Sequence, residues 1–350
     1  MSIRIIGTGS ALPEKRITNE MLARMVDTSD EWIRERTGIR SRHVSTGETT
    51  ASLAAQACRR ALEYAGREAG EVELLLTATC SPEEALPCTA CQIQDKIGAA
   101  NAAAFDINAA CAGFLFALQT AWAYVEAGVY RNALIVGTEV LSKLVDWQDR
   151  STCILFGDGA GAVLVEKCDR DGVLSFVQHS DGSRGGVLAC GSGRQASPFS
   201  LGAAAADAGM NSGSGAADSG INAMRSEAGT LGMAADYVRM NGREVFAFAV
   251  RQVPAAIEEA LKAAALSVED VDLFVLHQAN KRIIEGIAKR LGADISRFPM
   301  NLERVGNTSS AAIPILLDEL NRQKRIEKGQ VIVLSGFGAG LTYGACVLRV

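Results

Sequence analysis

Histidine is scarce in this sequence, which limits the chemistry that it can support. Among 350 residues there are three histidines, His43, His179 and His277. Cysteine is more frequent, and Cys88 and Cys91 have C-x-x-C spacing, but no second pair follows at the distance of a zinc ribbon. A structural zinc ion needs four such ligands. We therefore expect no metal site.

The sequence also lacks strong net charge and long apolar runs. Its formal net charge of −5 gives no reason to expect binding to nucleic acid or to a membrane surface. No uninterrupted apolar stretch approaches the roughly 20 residues of a transmembrane helix. The first residues, MSIRIIGTGSALP, run from a strand-like segment directly into Gly and Pro, unlike a secretory signal peptide. These absences predict a cytoplasmic protein with no nucleic-acid or membrane partner.

The nine cysteines are odd in number, and most of them lie in apolar or alanine-rich segments of a large chain. Secreted domains with a disulfide framework are instead short and carry paired cysteines. We expect reduced thiols, most of which serve as small hydrophobic residues.

What the sequence does contain is an internal repeat. Strand-like and helix-like segments alternate, which predicts an α/β fold, and four segments of the first half resemble four of the second half in the same order. The matched pairs are 71–99 with 270–293, 103–108 with 296–301, 132–140 with 330–338, and 157–167 with 340–350. We predict two related halves, 1–170 and 237–350, joined by residues 171–236. Within this connection, residues 188–236 are rich in Gly, Ala and Ser and predict a long loop.

The repeat makes three residues candidates for chemistry, because loops at equivalent strand ends meet near the axis between two such halves. Cys111 follows a strand and opens a helix, where partial positive charge stabilises a thiolate, but a buried structural cysteine also fits the spacing. His277 ends the strand DLFVL, and a hydrogen-bonded structural histidine is the alternative. Asn307 precedes a helix, as an N-cap does, and its amide is also able to stabilise an enolate.

The glycine-rich stretch GFGAG (336–340) looks like a nucleotide-binding loop but lies in a different context. It follows a strand, yet the sequence continues into another strand, LTYGACVLRV, and not into a helix. A Rossmann or phosphate-binding loop requires a helix at that point. Its backbone N–H groups are instead candidates for an oxyanion hole.

Taken together, these segments resemble the thiolase-like condensing enzymes, and among them β-ketoacyl-acyl-carrier-protein synthase III. The resemblance covers nearly the whole chain outside 188–236. It rests on the stretches TSDEWIRERTGIRSRH (28–43), ACQIQDKIG (90–98), AACAGF (109–114), DRSTCILFGDGAGA (149–162), HQANKRI (277–283), GNTSSAA (306–312) and GFGAGLTYGA (336–345). It implies a duplicated αβαβα layered fold, a homodimer, and no cofactor besides the CoA thioester that serves as substrate.

The resemblance implies a decarboxylative Claisen condensation that initiates fatty acid biosynthesis. Cys111 matches the nucleophile that takes an acyl group from an acyl-CoA, and His277 and Asn307 match the pair that decarboxylates malonyl-acyl-carrier protein. The backbone N–H group of Cys111 and one near Ala339 match the oxyanion hole. The implied products are 3-oxoacyl-acyl-carrier protein, CoA and carbon dioxide.

The same resemblance assigns binding residues around this centre. The implied CoA contacts are Trp32, Arg36, Thr37, Arg150 and Arg243, the carrier-protein contacts are Arg282 and Lys289, and the acyl-pocket residues are Leu86, Leu141, Phe156 and Phe337. Leu86 stands where some members have a Phe that enters the neighbouring protomer's pocket, and Phe337 also matches the aromatic residue beside the malonyl carboxylate. Ala247 stands where the family often has a lysine, and Arg243 is a candidate replacement.

Three alternatives stay open at this point. A related acyltransferase of secondary metabolism would share the motifs. A 3-hydroxy-3-methylglutaryl-CoA-synthase-like enzyme would need a glutamate base, for which Glu83 and Glu84 lie in a plausible loop, although Asn307 in GNTS favours decarboxylation. A non-catalytic acyl- or CoA-binding protein would have no need to keep Cys111, His277 and Asn307 together.

Overall fold

The computed structural model describes residues 2–169, 171–191 and 237–350. The predicted loop over 188–236 therefore lies mostly outside the described residues. Its first residues are described, and there Leu188–Ala189 pairs antiparallel with Arg239–Met240, which lie beyond the predicted loop.

The first half of the chain forms one five-stranded sheet. Its elements are β1 (Ser2–Ala11), β2 (Arg16–Thr18), α1 (Asn19–Leu22), α2 (Asp30–Thr37), β3 (Ser41–His43), α3 (Thr50–Ala65), β4 (Leu74–Ala78), α4 (Thr89–Ile97), β5 (Ala103–Ile107), α5 (Gly113–Glu126), β6 (Asn132–Glu139) and β7 (Gly159–Cys168). The strand order is β1-β7-β6-β4-β5, while β2 and β3 pair separately. Strand β4 runs parallel to β5 and β6, and β7 runs antiparallel to β6 and β1.

The second half repeats most of this sheet. Its elements are β8 (Gly172–Ser180), β9 (Leu188–Ala189), β10 (Arg239–Met240), α6 (Gly242–Ala263), β11 (Leu273–Leu276), α7 (Lys281–Leu291), α8 (Leu302–Val305), α9 (Ala312–Arg322), β12 (Val331–Gly338) and β13 (Thr342–Arg349). The order β8-β13-β12-β11 reproduces β1-β7-β6-β4, with one parallel and two antiparallel pairings in each. The duplication predicted from the sequence is therefore present in the topology, but the second sheet also contains β8, which lies within the stretch 171–236 that was predicted to join the halves.

One predicted correspondence differs. Residues 296–301 were expected to match the strand at 103–108, yet 298–301 have irregular backbone. Pro299 has no N–H to donate to a sheet, and the ring of Phe298 instead stacks on Phe274 at a centroid distance of 4.5 Å. The second sheet therefore has no counterpart of β5 at 298–301.

The sheets and helices stack in five layers because each buried strand has two apolar faces. In β4, Leu74 and Leu76 pack against α5, while Leu75 between them packs on the opposite side with α3. Such alternation follows from the two-residue period of a strand. Helices α5 and α9 share one core cluster between the two sheets, and α6 and α7 cover the far face of the second sheet. Across the described residues, no helix combines the length and apolar character needed to cross a membrane.

Helix α3 lies unusually close to β1, because its inner face is rich in alanine and β1 contributes glycines. A Cβ built on Gly9 would clash with the carbonyl oxygen of Ala57 and lie 2.5 Å from the backbone nitrogen of Ala61. The helix itself starts at a capping box between Thr49 and Ser52.

This contact gives a test of the packing. We expect Gly9→Ala to lower the free energy of unfolding by about 1–3 kcal/mol, because the added methyl group overpacks the β1–α3 contact. Urea denaturation would measure the change. Gly70→Ala is the matched control, since a Cβ there meets nothing within 4 Å, and we expect it to change stability by no more than about 0.5 kcal/mol. Equal destabilisation by the two variants would contradict the close contact.

Candidate active site

Cys111 lies on a sharp turn between β5 and α5. The Oδ1 atom of Asn108 accepts a hydrogen bond of 3.1 Å from the backbone N–H of Ala110, and Ala110 has a positive φ of 47°. A 3₁₀ turn over Ala110–Ala112 then leads into α5. Because a positive φ is costly for a residue with a Cβ, the surrounding packing must hold this turn in place.

The second half contains the same turn. Here Oδ1 of Asn307 accepts a hydrogen bond of 2.9 Å from the backbone N–H of Ser309, and Ser309 has a φ of 50°. A 3₁₀ turn over Ser309–Ala311 leads into α9. Since the oxygen of Asn307 is engaged by the turn, its NH₂ group is the end left for a ligand.

This shared turn revises the alignment of the two halves. The sequence repeat paired Asn108 with Asn301, whereas the hydrogen bonding pairs Asn108 with Asn307. The short helix α8, which the first half lacks in this position, separates Asn301 from the turn. Cys111 in the first half therefore corresponds to Ser310 in the second.

Strand β12 brings His277 and Cys111 together. A Cβ built on Gly336 would lie 3.4 Å from the Cβ of His277, and one built on Gly338 would lie 2.5 Å from the backbone nitrogen of Cys111. Positions two residues apart point to the same face of a strand and are separated by about 7 Å. Two of the predicted catalytic residues therefore lie against one face of one strand.

His277 is a buried, neutral side chain. It is 2% exposed, and its ring meets Phe337 edge-on at a centroid distance of 5.6 Å. Burial lowers the pKa of His277 to about 3. Its Nδ1 atom has no hydrogen-bond partner among the described residues. An orphaned acceptor is tolerated better than an orphaned N–H, so we place the single proton on Nε2, where it can be donated to a ligand.

Cys111 is also uncharged at rest. The pKa of its thiol is raised to about 12, chiefly by burial and to a lesser extent by the nearby Glu139 carboxyl, while a hydrogen bond with Ser309 acts in the opposite direction. The thiolate stabilisation expected from a helix start is thus outweighed by the loss of water.

A buried carboxyl group lies behind this pair of turns. Glu139 accepts hydrogen bonds from the hydroxyls of Ser81, at 2.6 Å, and Ser310, at 2.7 Å, and from the backbone N–H of Cys80, at 3.2 Å. Burial raises the pKa of Glu139. Neither Glu139 nor Ser309 was predicted from the sequence. A charged residue ending the apolar strand NALIVGTE was the available signal for Glu139.

A cavity of about 610 Å³ opens at Cys111. Leu141 and Phe156, predicted for the acyl pocket, line it together with Ala339, predicted for the oxyanion hole. Leu144 and Val238 also line it and were not predicted. The remaining two acyl-pocket candidates lie elsewhere, since Phe337 contacts the His277 ring and Leu86 is 86% exposed in the loop before α4.

Trp32 is flanked by two guanidinium groups. The Cζ atoms of Arg36 and Arg150 each lie 5.3 Å from the centre of its ring. Thr37 is buried, and its hydroxyl donates to the carbonyl oxygen of Ile33 at 2.6 Å, so it stabilises the end of α2. This helix end is tied to the segment after His277, because Asn280 Nδ2 donates to the carbonyl oxygen of Arg36 at 3.0 Å.

The remaining predicted contacts are basic surface residues. Arg243 is exposed in the first turn of α6, and Arg282 and Lys289 are exposed on α7. Residues seven apart on a helix lie on the same face, so Arg282 and Lys289 form one basic face. Among the described residues, no group of three or more His, Cys, Asp or Glu side chains is arranged to hold a metal ion.

Comparison with known proteins assigns this geometry to a family. Family profiles described as 3-oxoacyl-[acyl-carrier-protein (ACP)] synthase III and its C-terminal region match residues 105–182 and 261–350. The beta-ketoacyl-[acyl-carrier-protein] synthase III of Clostridium acetobutylicum is 45% identical over 348 residues, covering 99% of this chain and 98% of that protein. The chain belongs to the β-ketoacyl-acyl-carrier-protein synthase III family.

Solved structures of related proteins have the same fold. The 3-oxoacyl-[acyl-carrier-protein] synthase III of Aquifex aeolicus is 37% identical, with a TM-score of 0.86 and coverage of 99% of this chain and 100% of that one. The priming β-ketosynthase of the R1128 polyketide biosynthetic pathway is 36% identical, with a TM-score of 0.85 and coverage of 99% and 96%. The predicted thiolase-like fold and family are confirmed, and the chain is a condensing enzyme of the acyltransferase type.

The neutral state of His277 predicts how stability changes with pH. Its pKa is about 3 in the folded protein against an ordinary value of 6.5, so the unfolded chain binds more protons between these values. The stability from neutral His277 is complete above pH 6.5 and is lost as the pH falls towards 3. His277→Asn removes this titration. Between pH 6.5 and about 4, we expect stability to fall more steeply in the wild type than in the variant, by up to about 1.4 kcal/mol per pH unit.

Urea denaturation across this pH range would measure the two slopes. His179→Asn is the control, because His179 is partly exposed at the surface, where its Nε2 lies 2.8 Å from a carboxylate oxygen of Glu259. Parallel slopes for the wild type and His277→Asn would contradict the neutral, buried state of His277.

Proposed function

We propose that this chain condenses an acyl-CoA with malonyl-acyl-carrier protein, giving 3-oxoacyl-acyl-carrier protein, CoA and carbon dioxide, and that this reaction initiates fatty acid biosynthesis. The observation that carries the proposal is the turn that presents Cys111 in a cavity, against the same β12 face that receives His277. A buried nucleophile beside neutral hydrogen-bond donors suits both half-reactions. No residue of the proposal requires a metal or another cofactor.

In the first half-reaction, Cys111 Sγ attacks the thioester carbonyl of acyl-CoA. The new carbon–sulfur bond forms as the bond to CoA breaks, and the thiol proton leaves on the sulfur of CoA. The backbone N–H groups of Cys111 and Ala339 hold the oxygen that becomes negative. Gly338 keeps the space in front of Cys111 open, because a side chain there would lie against that N–H.

In the second half-reaction, the malonyl thioester carbonyl lies against His277 and Asn307. Its carboxyl carbon leaves as carbon dioxide, and the electron pair forms an enolate. The Nε2–H of His277 and the NH₂ of Asn307 donate to the enolate oxygen, and both are buried, where such bonds are strong. The enolate carbon then attacks acyl-Cys111, and Cys111 leaves as a thiolate that regains a proton.

Two kinds of surface suit the binding of the substrates: an aromatic stacking site and exposed basic residues. Trp32 with Arg36 and Arg150 offers a stacking site of the kind that suits the adenine of CoA, and Thr37 fixes the helix end that carries it. Arg243 supplies a further positive charge at the start of α6. The basic face of Arg282 and Lys289 suits an acidic carrier protein.

The alternative with a glutamate base has less support. The carboxylate of Glu83 accepts hydrogen bonds from the backbone N–H of Thr50, at 2.7 Å, and from Lys143 Nζ, at 2.9 Å. Both contacts favour a fixed, charged carboxylate and oppose proton uptake from a substrate. We further propose a cytoplasmic homodimer in which the exposed Leu86 reaches the cavity of the neighbouring protomer.

Acyl transfer to Cys111 gives a direct test. Incubation with acetyl-CoA and longer acyl-CoAs should produce a mass adduct that is located on Cys111 and is absent from Cys111→Ala. We expect Gly338→Ala to slow acylation by at least about 100-fold, because its methyl group would lie 2.5 Å from the N–H nitrogen of the oxyanion hole.

Gly336→Ala is the matched control on the same strand face, since its Cβ would meet neighbours only at 3.4 Å or more. We expect it to acylate within about threefold of the wild type, because such contacts are ordinary packing distances. An adduct that persists in Cys111→Ala would overturn the assignment of the nucleophile. Equal acylation of the two glycine variants would overturn the oxyanion hole.

Asn307→Asp separates the two half-reactions. The aspartate retains an oxygen for the N–H of Ser309, so the turn is kept, but the NH₂ donor is lost. We expect Cys111 to acylate normally while release of carbon dioxide from malonyl-acyl-carrier protein falls by about 10²–10³-fold. Carboxyl-labelled substrate would measure this. Asn108→Asp makes the same change in the equivalent turn and should retain decarboxylation. Undiminished release by Asn307→Asp would refute its role.

A further inference from the structure

Glu139 is a buried carboxyl group that has no part in the proposed condensation steps. It ends β6, and its side chain is fully buried. Its two carboxyl oxygens each lie 3.4 Å from the Sγ of Cys80, and they accept hydrogen bonds from the hydroxyls of Ser81 and Ser310. Among the described residues, the side chains that bond to Glu139 carry no positive charge. A buried carboxylate without a cation takes up a proton more readily than one in water.

A chain of polar side chains connects this carboxyl group to the nucleophile. The Sγ of Cys80 lies 4.0 Å from the Oγ of Ser309, and either atom is able to donate. The Ser309 hydroxyl also forms the hydrogen bond with the Cys111 thiol, and all three side chains line the same cavity. A hydroxyl or thiol carries one proton and free lone pairs, so it is able to accept one proton while it donates another. We call the sequence Cys111, Ser309, Cys80, Glu139 the proton chain.

The surroundings of Glu139 accommodate an added proton. The hydroxyl of Ser310 has one proton but two acceptors, since its Oγ lies 2.7 Å from Glu139 and 2.9 Å from the carbonyl oxygen of Ala78. When Glu139 is charged, Ser310 donates to it. When Glu139 is protonated, it donates to Ser310, whose own proton turns to Ala78. Both protonation states therefore keep these oxygens hydrogen-bonded, and the uptake of a proton requires only the rotation of one hydroxyl.

We propose that Glu139 is the proton acceptor for the Cys111 thiol. It does not touch the substrate and acts through the proton chain. As Cys111 Sγ forms its bond to the acyl-CoA carbonyl carbon, its proton moves to Ser309. The Ser309 proton moves to Cys80, and the Cys80 proton moves to Glu139. When the bond to CoA breaks, Glu139 returns the proton along the chain to the leaving sulfur. The identity of this substrate rests on the proposed function, whereas the activation of the thiol does not.

Other titratable groups near Glu139 lie outside the proton chain. Lys143, after β6, forms an ion pair with Glu83 at 2.9 Å. Asp158, before β7, accepts hydrogen bonds from two backbone N–H groups and a serine hydroxyl. The pKa of His277 is lowered to about 3 by burial, whereas burial raises the pKa of Glu139 above its ordinary value. His277 is therefore the weaker base of the two.

Alkylation by iodoacetamide tests the activation of Cys111 without acyl transfer. Cleavage after Lys and Arg gives the peptide 97–131, whose single cysteine is Cys111, so mass spectrometry follows this thiol alone. In the wild type we expect a rate that is independent of pH between about pH 7 and 8.5, because the internal base is charged and the thiol is protonated across this range.

Glu139→Gln removes the acceptor and keeps the shape of the side chain, since its NH₂ group is able to donate to Ser310 as a protonated carboxyl does. We expect its alkylation rate to fall by at least about 100-fold at pH 7. The rate should then rise about tenfold per pH unit, because the reaction depends on the thiolate formed by solvent.

Two further variants separate the proton chain from other effects. Ser309→Ala breaks the chain at its first link, and Ala110 holds a φ of 47° at the equivalent position of the first turn, so the backbone accepts the change. We expect it to show the same dependence on pH as Glu139→Gln. Glu83→Gln makes the matched change at another carboxyl group of the cavity and should keep the rate and pH profile of the wild type.

The alternatives give opposite results. If Glu139 acted only through its charge, its removal would lower the pKa of Cys111, and Glu139→Gln would react faster than the wild type. If it were only structural, Glu139→Gln would react more slowly with an unchanged pH profile. Either result overturns the proposal. A wild type that alkylates as expected but forms no adduct with acetyl-CoA would instead overturn the condensation and support thiol activation.

Discussion

The candidate site depends on the close approach of each half's turn to a strand of the other half. The turn with Cys111 lies against β12 at Gly338, and the turn with Ser310 lies against β6 at Gly137, where a Cβ would clash with the carbonyl oxygen of Ser310. In both places the strand residue is a glycine, and the absence of a Cβ allows the backbone of the turn to approach the backbone of the strand closely. The strained φ of Ala110 is held only within this packing, so neither half is able to form the site alone.

Removal of water from this interface sets the charges of the reacting groups. Burial keeps His277 neutral and Cys111 protonated, with pKa values of about 3 and about 12. In the proposed reaction, negative charge develops on a substrate carbonyl as it becomes an oxyanion or an enolate. Fixed N–H donors stabilise such charge far more strongly in a dry site than in water. The same burial that makes the thiol a weak nucleophile at rest thus favours the charged transition states.

Local sequence made candidates of residues that lie at the ends of strong elements. His277 follows a fully buried strand and Cys111 opens a long apolar helix, but spacing left a structural role open for both, and their proposed catalytic roles came from the family resemblance. Glu139 also ends an apolar strand, but this position alone does not reveal its contact with Ser310, which is 171 positions away and is reached only after the halves meet. The sequence repeat paired Asn108 with Asn301 because short apolar segments resemble one another in sequence. The structural equivalence of Asn108 with Asn307 rests on hydrogen bonds instead.

In the proposed reaction, the duplicated turn serves two different chemical roles. At the nucleophile position, the first turn presents Cys111 to the cavity. The second turn presents Ser310, whose Oγ lies 2.7 Å from Glu139 and 2.9 Å from the carbonyl oxygen of Ala78, so this hydroxyl is held in the core.

The two asparagines of these turns differ in their exposure to solvent. Asn108 is exposed at the cavity wall, whereas Asn307 is buried. A buried amide competes with less water for a substrate oxygen and therefore stabilises an enolate more strongly. In the proposed reaction, one of these two similar turns supplies the nucleophile and the other, more deeply buried asparagine supplies the hydrogen-bond donor.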